Sequence, residues 1–159
     1  MSWDKEINEI LKKKEFALQQ GGKENVERQH SKGLLTIRER ITLILDDNTF
    51  EEIGPGAGGA KRDENGNLIE FNPANFVLGF GKINGRDCVI GGEDFTVKGG
   101  SPTEAGLRKS IYIEDLAIQN LVPLVRLHQG GGGSVTGASG NTQASTSPVY
   151  NPPRFKTVA

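Results

Sequence analysis

Two glycine clusters are the residues of this 159-residue sequence best suited to chemistry. Gly99-Gly100 stand before Ser101-Pro102 at the entry of a helical pattern, and Gly130-Gly131-Gly132-Gly133 follow the apolar run Val122 to Leu127. Without side chains in the way, a ligand oxygen approaches bare backbone N–H groups closely. Such donors, aimed at a developing oxyanion, contribute about 2.7–4 kcal/mol each to transition-state stabilisation. That chemistry needs no acidic or basic side chain, so the lack of an evident triad is compatible with an enzyme. His128, at the mouth of the second cluster, is of a type to polarise a ligand or to make a structural hydrogen bond. A flexible Gly/Ser linker is the competing reading of 130–133, but linkers seldom follow a buried strand directly.

Other chemistries find less support. Walker A and Rossmann glycine patterns are missing from any strand-to-helix junction. Gly54-Pro55-Gly56-Ala57-Gly58-Gly59 has the composition of a phosphate loop without that context. The two histidines, His30 and His128, are too far apart for a local metal pair, and no metal site is expected. Glu93 and Asp94 have no second acid at a glycosidase-like spacing. Cys88, the single cysteine, excludes an internal disulfide and reads as a buried structural thiol.

Composition narrows the class. The 19 basic and 20 acidic residues nearly cancel, leaving no general attraction to nucleic acid or to a membrane surface. No apolar run approaches the roughly 18 residues of a membrane span. Neither a secretory nor a transit signal is evident in Met1 to Glu6, so a cytoplasmic location is expected. Hydrophobic content of 35% with 22 glycines predicts many loops and a core completed by another segment or subunit.

The elements that must position the glycines follow in order. Apolar residues at Trp3, Ile7, Ile10, Leu11 and Leu18 predict a helix over Trp3 to Gln20, capped by Ser2 and stopped by Gly21-Gly22. Lys23 to Lys32 reads as a short polar helix or turn. Thr36-Ile37-Arg38-Glu39 is a capping box, opening a helix with Ile37, Ile41, Ile44 and Leu45 on one face. Arg38 and Arg40 read as ion-paired structural residues. Thr49 to Ile53 reads as extended. Gly54 to Asn72 reads as an exposed loop, with a turn signal at Glu64-Asn65-Gly66-Asn67 that could support a small hairpin. Alternation at Phe76, Leu78 and Phe80 predicts a strand, and Asn84-Gly85 a hairpin turn into a partner strand over Asp87 to Gly91. Phe95-Thr96-Val97 reads as a further short strand. Thr103 to Gln119 reads as a helix facing inward through Leu107, Ile111 and Ile118, broadened by Ile113, Leu116 and Ala117. Val122 to Leu127 is the last strand. The resulting α/β order places its loop beside the preceding helix entry. Ser134 to Pro153 reads as irregular, and the ending at Ala159 as a cut rather than a terminus.

Within this order stand specific motifs: Arg28-Gln29-His30, Lys32-Gly33, Leu35-Thr36, Arg38-Glu39-Arg40-Ile41 and Asp46, then Asn84-Gly85-Arg86, then Asp94-Phe95-Thr96-Val97-x-Gly99-Gly100-Ser101. From about Gly21 onward the chain resembles the N-terminal half of the carboxyltransferase (β) subunits of biotin-dependent acyl-CoA carboxylases, of the propionyl-CoA and methylcrotonyl-CoA type. The resemblance implies a crotonase-like (ClpP/crotonase) fold of ββα units with an N-terminal helical extension. It divides the chain into a helical segment at 1–48 and a carboxyltransferase domain at 49–159 whose C-terminal half is absent.

The resemblance also implies a reaction: transfer of a carboxyl group from carboxybiotin to the α-carbon of an acyl-CoA, through an enolate held by backbone N–H groups. In that family biotin acts as the base, and it rides on a separate carrier protein or domain. Gly131 and Gly132 carry over as the oxyanion donors. Gly99, Gly100, Gly130, Gly133 and His128 are the candidate acyl-CoA-binding residues. Implied partners are a biotin carboxylase/biotin carboxyl carrier subunit, the acyl-CoA, and further copies of the chain as a dimer or trimer of dimers. The family's commoner D-S-G-G-A-R is replaced here by Gln129-Gly130-Gly131-Gly132-Gly133-Ser134, which leaves the acyl group open. A biotin-dependent decarboxylase subunit and a non-catalytic acyl-CoA-binding or assembly module are the alternatives.

Overall fold

A computed structural model describes residues 3–130. Three helices come first: α1 (Asp4–Leu18), α2 (Lys23–His30) and α3 (Ile37–Ile44). The short strand β1 (Glu51–Glu52) leads to a hairpin of β2 (Gly58–Arg62) and β3 (Leu68–Pro73). Strands β4 (Phe76–Ile83) and β5 (Arg86–Glu93) follow, then α4 (Glu104–Asn120) and β6 (Leu124–Leu127). The main sheet has the order β1-β4-β5-β6, antiparallel except for the parallel pair β5–β6.

Strand alternation sends successive side chains to opposite faces, and each face meets a helix. Val77, Cys88 and Ile90 pack with Ile37, Ile41 and Leu45 of α3 and its cap. Phe76, Leu78 and Val89 pack with Ile113, Leu116 and Ala117 of α4. The sheet is thus the middle of three layers. Cys88 is buried there, and desolvation pushes its thiol pKa up, as suits a structural thiol.

Two local signals work as the residue types require. Thr36 Oγ1 accepts from the Glu39 N–H (3.3 Å) while the Glu39 carboxylate accepts from the Thr36 N–H (2.7 Å), completing the capping box. Asn84 and Gly85 take φ of 50° and 74°, the left-handed pair of a type I′ hairpin turn. The Asp46 carboxylate accepts from both of their N–H groups, at 2.9 and 2.7 Å. Asp46 therefore ties the end of α3 to the β4–β5 turn.

Several expectations are corrected. Phe95-Thr96-Val97 is a turn, because β5 runs on to Glu93 and the chain must then reverse into α4. The 54–72 stretch is largely the small hairpin its turn signal allowed, β2–β3, rather than a plain loop; Gly58–Arg62 is exposed throughout and lacks the alternation that betrays a strand. Its turn does fall at the Glu64 to Asn67 signal, where Asp63 accepts from the Asn65 and Asn67 N–H groups. On α1 the apolar face reads outward: Trp3, Ile7, Ile10, Leu11 and Leu18 are exposed, while Ala17 is buried and Glu9 pairs with Lys13 and Arg62. The Ser2 cap lies outside the described residues. Ile44 is exposed on α3, and β6 begins at Leu124 rather than Val122. The buried face of α4 runs through Gly106, Lys109, Ser110, Ile113, Leu116 and Ala117, so Leu107, Ile111 and Ile118 sit at its flanks.

Ile113 is fully buried against the sheet, whereas Leu43 is 72% exposed. Ile113→Ala is expected to cost about 2–5 kcal/mol in urea unfolding, and Leu43→Ala less than about 0.5 kcal/mol. Equal losses would show that the described core is wrong.

Candidate functional site

The parallel pairing of β5 and β6 decides where the glycines go. Gly92 aligns with Leu127, so the chain leaves both strands at the same sheet edge. Residues after Glu93 and residues after Leu127 therefore emerge side by side, next to the start of α4. Ligand sites in open α/β sheets form at such carboxyl edges.

The first of these loops is held from below. Asp94, only 2% exposed, accepts from the Thr96 N–H (2.9 Å) and hydroxyl (2.6 Å), and the Thr96 hydroxyl oxygen accepts from the Gly21 N–H (2.9 Å). Burial pushes the Asp94 carboxyl above its ordinary range, against the bonds from Thr96 and the charge of Arg38, which pull it down. Next, Lys98, Gly99 and Gly100 have φ of 50°, 61° and 77°, a left-handed turn that two glycines make possible. The Gly100 N–H is spent on the Val97 carbonyl and that of Ser101 on the Lys98 carbonyl, both at 3.1 Å. The Lys98 and Gly99 N–H groups take no part in these turn bonds. A side chain on Gly100 would strike the Phe95 ring at 2.6 Å, whereas one on Gly99 would meet nothing within 4 Å. Gly99 is thus the open backbone position of this turn.

α4 begins immediately after it. Thr103 caps the helix by accepting from the Gly106 N–H (3.1 Å) and donates to Asn75 Oδ1 (2.7 Å). Asn75, buried at the start of β4, donates in turn to the Ser101 carbonyl at 2.7 Å. One asparagine therefore fixes both the turn and the helix entry.

The second loop is held by the N-terminal helices. Gln29 of α2, buried, donates from Nε2 to Gln129 Oε1 (3.0 Å) and to the Leu35 carbonyl (3.2 Å). Arg40 of α3 donates from Nη2 to the His128 carbonyl at 3.4 Å. The His128 ring is largely exposed, its Nδ1 3.6 Å from the Glu93 carboxylate. Arg126 joins the layers beneath: it lies over the Phe76 ring at 5.2 Å, donates to the Ser110 carbonyl (3.0 Å), and stands 3.5 and 3.6 Å from Glu93 and Glu114. Gly130 faces open space. Gly131, Gly132 and Gly133 lie outside the described residues.

The structure thus brings Gly99, Gly100, His128 and Gly130 to one edge. Sequence reasoning missed the residues that hold them there, Gln29, Asn75 and Arg126, and it missed the buried Lys109. Gln29 sits in a helix too polar to suggest burial. Lys109, 8% exposed, breaks the apolar pattern of α4; its ammonium donates to the Gly54 carbonyl at 3.3 Å. Arg38 does form the anticipated ion pair, engaging Glu52 through both Nη atoms at 2.9 and 3.0 Å. Arg40 contacts a carbonyl instead.

With this geometry in hand, comparison with known proteins is decisive. The carboxyl transferase domain family matches residues 28–149. This chain belongs to that family. It is 37% identical over 131 residues to a propionyl-CoA carboxylase beta chain of Cereibacter sphaeroides, covering 81% of this chain and 25% of that one. It is 38% identical over 131 residues to the biotin-dependent acetyl-/propionyl-coenzyme A carboxylase beta5 subunit of Mycobacterium tuberculosis, covering 81% and 24%. A crystal structure of transcarboxylase 12S, a hexamer with methylmalonyl-coenzyme A and methylmalonic acid bound, superposes with a TM-score of 0.68 at 28% identity, covering 84% of this chain and 26% of that one. The fold is the crotonase-like fold of the carboxyltransferases. The chain spans about a quarter of the length of these relatives. In the carboxyl transferase chain, then, Gln29 and Arg40 of these two motifs reach the β6 exit, while His30 meets the Glu39 capping carboxylate at 2.9 Å.

Lys109 generates a pH prediction. Desolvation lowers its pKa from an ordinary 10.5 to about 8, assisted by the Arg38 charge and opposed by Glu52. Between those values the unfolded chain binds more protons than the folded one, so stability rises with pH. The penalty is fully present below about 8 and is relieved toward 10.5. Urea midpoints measured from pH 7 to 10.5 are expected to climb by this contribution in the wild type, with Lys109→Met lacking it; identical profiles would contradict the assignment.

Proposed function

We propose that this chain is the acyl-CoA-binding half of a biotin-dependent carboxyltransferase, which moves a carboxyl group from carboxybiotin to the α-carbon of an acyl-CoA. The observation that supports this reading is the shared edge of β5 and β6, where the chain leaves toward the Gly99 turn and toward Gly130. A thioester carbonyl approaching that edge meets backbone donors with no side chain between. As the α-proton leaves, charge builds on the thioester oxygen, and N–H groups of Gly131 and Gly132 hold the resulting enolate. Gly99, Gly100, Gly130 and His128 line the approach, with Gly99 as the donor left open in its turn, and Gly133 is assigned to acyl-CoA binding by the family resemblance alone.

Open space at Gly99 and Gly130 fits a carbonyl-type oxygen, whether of a thioester or of a ureido ring. Biotin, borne by a separate carrier, supplies the carboxyl group and the basic site when bound. This chain's own residues orient the acyl partner. Gln29 and Arg40 keep the β6 exit in register with the Gly99 turn, and the Asp94–Thr96–Gly21 relay keeps that turn from sagging into the sheet. The enzyme assembles with a biotin carboxylase/biotin carboxyl carrier subunit and with further copies of itself.

Calorimetry with propionyl-CoA tests the binding half of this reading: the chain binds, and a folded sample giving no heat sinks it. In the assembled carboxylase, Gly131→Pro removes one N–H donor. Carboxylation kcat is expected to drop about 10²–10³-fold while the acyl-CoA Kd stays within about twofold. Retained turnover would move the oxyanion donors elsewhere.

A further inference from the structure

Helix α1 is held to the fold by one side. Arg62 of the β2–β3 hairpin grips the Glu9 carboxylate with both Nη atoms, at 2.8 and 2.6 Å, and Lys13 meets the same carboxylate at 2.9 Å. Ala17 is buried, and its carbonyl accepts from Arg38 Nη2 at 3.2 Å. The other side carries Trp3, Ile7, Ile10, Leu11 and Leu18, which are between 49% and 69% exposed. Together with the exposed Lys14, these positions recur at helical spacing and form one stripe. A contiguous apolar stripe on a helix already docked by its opposite side marks an interaction surface.

The order of residues in the stripe says what fits it. Turning the helix end for end about the midpoint of Ile10 and Leu11 exchanges Trp3 with Leu18 and Ile7 with Lys14. The stripe is therefore complementary to itself in the antiparallel sense, the arrangement a twofold axis generates. Charge selects the same orientation. A parallel copy would oppose Lys14 to Lys14 in an apolar seam. An antiparallel copy sets Lys14 against Ile7 and beside Glu6 of the partner subunit, so that its stem packs while its ammonium meets the carboxylate. An anionic membrane is a poorer occupant, because α1 carries four acidic residues against four lysines.

We infer that α1 is a self-association surface, pairing antiparallel with α1 of a second copy of this chain about an axis near Ile10 and Leu11. Trp3 anchors each end by packing on Leu18 of the partner subunit, as large aromatics do at the centre of protein contacts. The surface uses none of the residues at the β5–β6 edge, so it stands independently of the acyl-CoA reading.

Analytical ultracentrifugation of the 159-residue chain, followed in parallel by the emission of Trp3, its single tryptophan, tests the pairing. The chain is expected to dimerise as concentration rises, and Trp3 emission to move to the blue as the mass doubles. Ile10→Glu, at an exposed position and checked for folding by circular dichroism, is expected to weaken the dimer at least ~100-fold. Glu6→Lys and Lys14→Glu each weaken it, and the double variant Glu6→Lys/Lys14→Glu recovers at least ~3-fold over either single variant. Orientation is read by mixing Trp3→Cys with Leu18→Cys: the mixed disulfide is expected to exceed either homodimer, and the buried Cys88 does not compete.

A chain monomeric at every concentration, or a dimer indifferent to Ile10→Glu, overturns the pairing. So does a charge-exchanged double variant no tighter than its parents, or an excess of Trp3→Cys homodimers. A monomer whose Trp3 emission is already blue-shifted shows the stripe covered within its own chain and overturns it as well. None of these results bears on the acyl-CoA reading, which calorimetry with propionyl-CoA decides separately.

Discussion

Everything at the candidate site depends on one pairing, the parallel ladder between β5 and β6. Parallel neighbours cannot be joined by a tight turn, so the chain must cross over through α4 and return. That crossover brings three things to one edge: the end of β5, the end of β6 and the start of α4. The Gly99 turn and the His128–Gly130 exit are neighbours for this reason alone, although about thirty residues of chain separate them. The ladder is short, four aligned pairs from Val89 to Gly92, and its position is secured by packing on both faces of the sheet.

Around that pairing, polar side chains do the fine positioning. Asn75 links the Ser101 carbonyl to the Thr103 cap, and Asp94 holds Thr96, which holds Gly21. Gln29 and Arg40 reach across from the N-terminal helices to the β6 exit. Losing the bonds of Asn75, Asp94, Thr96 or Gln29 would leave a buried polar group unsatisfied, a larger cost than the bond's own net contribution, whereas the Arg40 bond is solvent-exposed. The two candidate loops are therefore tied by hydrogen bonds where they leave the sheet. The family motifs look less like catalytic groups than like the frame around open backbone.

Buried charge follows the same logic. Arg38 and Glu52 pair bidentately across α3 and β1, and Arg38 also reaches the Ala17 carbonyl at the end of α1. Lys109 lies within the field of that pair, and among the described residues its ammonium donates to the Gly54 carbonyl. Both Nη atoms of Arg38 are engaged within the fold, while its buried Nε has no hydrogen-bond partner among the described residues. Lys109 is buried beside that pair, so its charge is carried at a desolvation cost that lowers its pKa.

Local chemistry determined much of this protein from its residues alone. The Thr36 capping box, the Asn84-Gly85 turn, the β4 alternation and the two glycine clusters each act within a few residues, so their types declare them. The motif set from Arg28 to Ser101 declared the family for the same reason. Facts that depend on what lies across space were not legible. Trp3, Ile7 and Leu11 make an apolar stripe that the fold turns outward, and Lys109 is a charged residue that it turns inward. The β2 strand has no apolar period to reveal it, being held by its ladder to β3. Gln29 meeting Gln129, and residues 54–59 meeting the first turns of α4, join segments remote in sequence. Only tertiary packing brings such groups together, because the free energy that selects those contacts comes from burying the sheet between α3 and α4 rather than from any local preference.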